Sequence, residues 1–288
     1  MTIDELRNTR FFQLSDFADG FFERAADIDR WSVLADRFDA FQTLPKTQSA
    51  KGIPHRIHQI WLGGRLPDRY SYWTRSWQSH HKNWEYRLWN EEAILRLGLV
   101  NERAFRSSPS FGAKSDIARY EILERLGGIY ADTDFECLRS FDELADRSTF
   151  FAATIFSDSP EINNGLMGCV PGHILLKHLI AGLAKPIRTR DGMAVLRRSG
   201  PRYLTDHFFE SVESLVAEDI VLPSSFFYPL PNFVRFENNS LQERKKYARE
   251  CSLAIHFWET SWQSPRPWRA FLSRAKRVLL KKVRGKAR

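Results

Sequence analysis

The sequence predicts an α/β fold built around a mostly parallel sheet. Short β-branched and aromatic runs alternate with amphipathic stretches along residues 53–258, the order that lays helices against a parallel sheet. Two junctions are glycine pairs: Gly63-Gly64 closes an apolar run, and Gly127-Gly128 separates a helical stretch from the next strand. The 288 residues, 43% apolar and 27% charged, suit a large globular body and exclude collagen, coiled coil and global disorder.

Residues 3–43 read as two or three helices in an N-terminal layer, because Phe11, Phe12, Leu14, Phe17, Trp31, Leu34 and Phe38 recur at helical steps. A turn-rich linker follows at 44–52. The segment IPHRIHQIWLGG is a strand through Ile53, Ile57 and Ile60, stopped by its glycines. A second strand is expected at 84–89 and a short helix at 91–97. Residues 114–126 form a stronger helix, with Ser115 as the expected N-cap. IYADTDFE, residues 129–136, then reads as one strand. Further strands are expected at 149–156, 220–222, 226–228 and 253–258, and residues 163–170 read as a loop or a strand. Helices are expected at 173–184, 192–198 and 203–216.

Cys137, Cys169 and Cys251 are odd in number, widely spaced and free of any CxxC pair, which excludes a disulfide scaffold or zinc ribbon and favours a reducing compartment. The opening MTIDELRNTRFFQL lacks a secretory pattern, and no run of ~18 apolar residues offers a bilayer-spanning helix. The expected location is the cytoplasm, with peripheral attachment to the inner membrane face. The net charge of +8 is local: residues 266–288 hold ten Lys or Arg and no acid, leaving 1–265 at −2. In that tail Trp268, Phe271, Leu272, Ala275, Leu279 and Val283 form one helical stripe. A basic amphipathic helix of this kind either lies on an anionic lipid surface or docks on the body. Nucleic acid is not an expected partner, since the body is near neutral and the tail has little aromatic interleaving.

The sharpest chemical feature is Asp132-Thr133-Asp134. In a strand, residues i and i+2 face one way, so the two carboxylates repel by roughly 1 kcal/mol or more. Mg²⁺ or Mn²⁺ offsets that most directly, the alternative being a solvated acidic loop. Asp116 and Arg119 share a helix face, and their spacing favours a surface ion pair over a polar corner for sugar hydroxyls. Asn163 and Asn164, in INNGLMG, either touch a sugar or make an Asn-Gly turn. His80 and His81 read as exposed. Trp73, Trp77, Trp84 and Trp89 read as packing.

SDIARYEILERLGGIYADTDFE resembles the core of the DXD sugar transferases of glycosyltransferase family 32, a family that includes yeast initiating mannosyltransferases and bacterial capsule and lipopolysaccharide sugar transferases. The upstream IPHRIHQIWLGG resembles that family's opening strand, with His55 in place of the usual Lys, and the downstream HFWETSW resembles its closing motif. The likeness spans residues 53–262. It implies a GT-A, Rossmann-like domain over 51–265, preceded by the helical segment 1–50 and followed by the basic helix 266–288. It also implies a nucleoside-diphosphate sugar donor, a divalent metal and a retaining reaction onto a glycan or lipid-linked acceptor in surface polysaccharide synthesis. Position by position, Trp61 would lie against the base and Tyr130 would line the nucleotide pocket. Asp116 and Arg119 would contact the donor sugar, with Asn164 as a further candidate at the sugar face. Asp132 would bind ribose or metal, Asp134 the metal, and His256 the metal or diphosphate, while Ser261 and Trp262 would close the pocket.

Two other function classes use the same features. A phosphotransferase or phosphatase would take an aspartate of the pair as nucleophile, but needs a downstream Lys and a further acidic pair that the sequence does not offer. A non-catalytic peripheral membrane protein would need only the tail.

Overall fold

The computed structural model describes residues 1–15, 25–45, 52–155, 159–185, 187–232 and 240–259. The chain opens with helices α1 (Ile3–Arg7), α2 (Arg10–Gln13) and α3 (Ala25–Thr43). Next come β1 (Arg56–Ile60), α4 (Ser71–His80), β2 (Glu85–Trp89), α5 (Glu91–Leu97), α6 (Glu102–Ser107) and α7 (Phe111–Leu126). The centre holds β3 (Gly128–Ala131), β4 (Phe135–Cys137), α8 (Asp142–Arg147), β5 (Phe150–Thr154) and β6 (Ile162–Cys169). It is followed by α9 (Ile174–Gly182), α10 (Gly192–Arg198), α11 (Pro201–Glu210), β7 (Asp219–Leu222), α12 (Leu241–Lys245) and β8 (Ala254–His256).

Among the described residues, six strands form the central sheet in the order β2-β1-β3-β6-β5-β7. β1 is parallel to β2 and β3, and β5 is parallel to β7; only β6 is reversed, antiparallel to both β3 and β5. The expected α/β class with a mostly parallel sheet therefore holds. β4 and β8 form a separate two-stranded ribbon, pairing Phe135 with His256. The N-terminal helices form the expected layer: Phe11 packs on Trp31 and Phe38, and Phe38 reaches Phe226 at 6.3 Å. Arg37 ties the layer to the sheet edge by donating to the Val216 and Asp219 carbonyls.

α7 carries the frame of the site. It starts one turn earlier than expected, because Ser110 rather than Ser115 accepts the Ala113 N–H as N-cap. It ends as expected in the glycine pair, with φ of 62° at Gly127 and 100° at Gly128. A Cβ on Gly127 would meet Pro171 Cδ at 2.6 Å, and one on Gly128 would meet the Arg56 carbonyl at 2.7 Å. Only glycine lets the helix end press this closely on the start of β3.

Several expectations are corrected. Residues 226–228 are not a strand: a 3-10 turn at Ser224–Phe226 follows Pro223, and Tyr228 N–H closes back onto the Ser224 carbonyl. The helix expected at 203–216 starts at Pro201, whose ring suits the first turn, and stops at Glu210. The open choice at 163–170 resolves to strand β6 rather than an Asn-Gly turn, held by pairing on both edges and buried along its length. α4 was not anticipated. Its Trp77 donates to the Phe135 carbonyl at 3.0 Å and its Ser76 hydroxyl accepts from Cys137 N–H, so it braces β4. His81 is buried rather than exposed, with Nδ1 2.9 Å from the Trp77 carbonyl and Nε2 accepting from Phe141 N–H. The tryptophans serve packing as read, with Trp84 donating to Asp142 and Trp89 to His58.

His58 yields a stability prediction. Trp89 donates to its Nδ1, so Nε2 carries the proton and donates to the Gly127 carbonyl at 3.0 Å. Burial pushes its pKa down to about 4, against the Gly127 bond. A pKa lower in the folded than in the unfolded chain means the unfolded state binds the extra proton, so stability falls as pH drops from about 6.5 towards 4. Between pH 7 and pH 5, urea unfolding of the wild type should lose about 2 kcal/mol more than unfolding of His58→Gln. Parallel pH curves for the two proteins would contradict this.

Candidate active site

β3 ends at Ala131 and β4 begins at Phe135, so Asp132, Thr133 and Asp134 occupy a turn closed by Phe135 N–H donating to the Asp132 carbonyl. This corrects the continuous strand read for residues 129–136, and with it the alternation argument. The two carboxylates converge for another reason. The turn folds them together, and the β4–β8 pairing places His256 opposite Phe135. Asp132, Asp134 and His256 each offer one ligand atom within 4.8 Å of the others.

Asp134 is buried, not a solvated loop acid. His256 Nε2 lies 3.1 Å from its carboxylate, and Glu259 N–H donates to Oδ2 at 2.7 Å. The His256 ring stacks on Phe135 at 4.3 Å and meets Trp258 at 4.2 Å. Its buried Nδ1 has no hydrogen-bond partner among the described residues. Asp132 is the more open acid, its side chain 30% exposed. Tyr130 donates to its Oδ1 at 2.6 Å, Arg119 reaches it at 3.3 Å, and Gln59 donates to its carbonyl. Gly165 accepts from Asp132 N–H, and a Cβ there would sit 2.9 Å from Asp132 Oδ2.

Asp116 and Arg119 share a face of α7 as the spacing indicated, but as a buried pair at 3.3 Å rather than a surface one. Asp116 accepts from Asn164 Nδ2 at 2.9 Å and from Ser199 Oγ at 2.8 Å. Arg119 donates to the Asn164 carbonyl at 2.7 Å and lies over the Tyr130 ring at 4.5 Å. Burial raises the Asp116 pKa against the pull of Arg119. Burial would lower that of Arg119, but Asp132, Tyr130 and Asp116 hold it above its ordinary value. Burial also pushes the Asp132 carboxyl up, opposed by Arg119 and reinforced by Asp134. At their formal charges, Asp116, Arg119, Asp132 and Asp134 leave two net negative charges. Two carboxylates, an imidazole with an unpartnered buried nitrogen and that charge fit a hard divalent cation such as Mn²⁺ or Mg²⁺.

Trp61 packs against Tyr70 at 4.9 Å, within an apolar cluster that includes Trp73 and Phe257 and that Trp258 borders. Ser261 and Trp262 lie outside the described residues, as does the basic tail. The sequence reading missed Ser199, Gly165, Gln59 and Tyr228, which donates to Asn163 Oδ1 and meets the His256 ring edge-on. None of these has a local signature, because each reaches the site only through long-range packing.

Residues 67–151 match the family described as a glycosyltransferase sugar-binding region containing a DXD motif. Inositol phosphoceramide mannosyltransferase 1 of Schizosaccharomyces pombe is 32% identical over 142 residues, covering 46% of this chain and 43% of that protein. Over this stretch the chain is similar to the DXD glycosyltransferases of the family 32 type. An uncharacterised glycosyltransferase of Acanthamoeba polyphaga mimivirus is 25% identical over 189 residues, 62% of this chain and 73% of that one. The catalytic domain of α-toxin from Clostridium novyi covers 81% of this chain and 83% of its own, with a TM-score of 0.48 and 8% identity. The chain spans less than half the length of the mannosyltransferase relative. Its matched stretch holds Asp116, Arg119, Tyr130, Asp132 and Asp134, while His256 arrives from outside the match through the β4–β8 ribbon.

Proposed function

We propose that the protein is a metal-dependent, retaining glycosyltransferase that moves a sugar from a nucleoside-diphosphate donor to a glycan or lipid-linked acceptor. The observation that carries this reading is the Asp132–Asp134–His256 cluster, with its two net negative charges, set within a DXD region. These three residues would hold Mn²⁺ or Mg²⁺, which when bound neutralises charge on the departing diphosphate as a Lewis acid. The rest of the work belongs to the chain. Arg119 and Tyr130 hold the Asp132 carboxylate in place, so that Asp132 presents its open side to the donor. Asp116, Asn164 and Ser199 fix Arg119 in turn, as buried positioning groups beneath the sugar rather than first contacts. Trp61 beside Tyr70 offers an aromatic wall for the nucleotide base. The retaining outcome rests on the family likeness.

The curated relatives include proteins named for mannosyl transfer to inositol phosphoceramide, which favours a lipid-linked acceptor. No helix among the described residues is long and apolar enough to cross a membrane. The basic residues of 266–288 would bring the enzyme to an anionic surface at the inner membrane face, and surface glycan synthesis is the role that placement suits. The phosphatase and non-catalytic readings lose ground to the family match.

A panel of nucleotide sugars with Mn²⁺, read as released nucleoside diphosphate, tests the proposal. Slow hydrolysis of one donor, abolished by chelation, is expected. Turnover of a chromogenic phosphate ester with every sugar nucleotide left intact would overturn it.

A further inference from the structure

Among the described residues Trp258 is the one non-glycine with a left-handed backbone, at φ 60°. For a bulky side chain this conformation is disfavoured by roughly 1–2 kcal/mol, so something must hold it. It lies two residues beyond His256, where β8 has ended. The residue immediately after it, Glu259, turns its N–H onto Asp134 Oδ2 at 2.7 Å. On the other side, Phe257 N–H donates to the Asp134 carbonyl at 3.0 Å. The chain thus grips Asp134 from both sides of Trp258. The indole is pinned as well: Nε1 donates to the Leu230 carbonyl at 2.7 Å, and the ring lies against His256 at 4.2 Å and Tyr228 at 5.6 Å.

We infer that Trp258 is a positioning residue for the metal site, its left-handed backbone aiming the Glu259 N–H at Asp134 so that the carboxylate is held ready beside His256. The inference rests on the metal-dependent reading above. In a right-handed or extended backbone at 258 the next N–H points elsewhere, and Asp134 loses the only backbone donor to its carboxylate seen among the described residues. Cation binding then has to restore the left-handed turn before both acids can ligate together.

The test compares substitutions that all remove the indole but differ in tolerance of positive φ. Trp258→Gly and Trp258→Asn accept it readily, whereas Trp258→Ala and Trp258→Val resist it. Mn²⁺ binding to each purified full-length protein is read by calorimetry and by the EPR signal of free Mn²⁺, with thermal unfolding as a fold check. The Gly and Asn variants should bind Mn²⁺ about tenfold more tightly than the Val variant, with Ala between. Should Val fail to fold, Gly against Ala carries the comparison. Equal Mn²⁺ affinity across the variants, with wild type still binding, would overturn the positioning role while leaving the metal site standing. A wild type that binds no more Mn²⁺ than Asp134→Asn would instead overturn the metal-dependent reading itself.

Discussion

Asp134→Asn should lower sugar-nucleotide turnover by roughly 10³-fold while leaving the melting temperature within a few degrees of wild type. The amide keeps the shape of the carboxylate, and its oxygen can still accept the Glu259 N–H. What it loses is one of the two net negative charges that suit the site to a divalent cation. The folded protein gains from that loss in one respect, because the Asp134 charge is among the influences that raise the Asp132 pKa. Activity and stability therefore part company. Asp134→Ala tests the same separation more severely, since it also leaves the Glu259 N–H without its acceptor. Donor hydrolysis assays and thermal unfolding check both variants; a large loss of stability in Asp134→Asn would make the turn structural and sink the metal reading.

Arg119→Leu should do the opposite and damage the fold itself. The guanidinium is 5% exposed and stands between Asp116 and Asp132, 3.3 Å from each. Removing it leaves Asp116 buried without its counter-charge, and breaking a buried pair from one side costs about 3–5 kcal/mol. It also strips the bond to the Asn164 carbonyl and the cover over Tyr130. Denaturant unfolding should show that loss, with a smaller one for Arg119→Lys, which keeps the charge but not the fork. A change of under 1 kcal/mol in Arg119→Leu would mean the pair is more solvated than its burial indicates. Raising the pH would not rescue the variant, because burial already holds the Asp116 pKa up and deprotonation there becomes costlier without Arg119.

The alternation of strands and helices, the glycine pair after α7 and the DXD element were legible because each depends on neighbours within a few residues. Gly127 and Gly128 read as a helix stop, and their positive φ values show the same local constraint at work. The cap of α7 and the end of β3 were misread by a few residues, since a neighbouring serine and the preceding apolar run were equally good local candidates. His81 was misjudged because its polar neighbours say nothing of Trp77, Trp84 and Phe141 closing around it.

Sequence alone determined that this chain is an α/β protein bearing paired acids, and its likeness to the DXD transferases pointed to the chemistry proposed for it. The tertiary structure decided how those acids meet. Asp132 and Asp134 converge through a turn rather than along a strand, His256 joins them across a ribbon from 122 residues away, and Ser199 and Tyr228 enter through packing. Local backbone preferences act over a few residues and can be read in order along the chain. The burial of Asp116 and Arg119, and the charge that makes a cation welcome, exist only once distant segments have excluded water from between them.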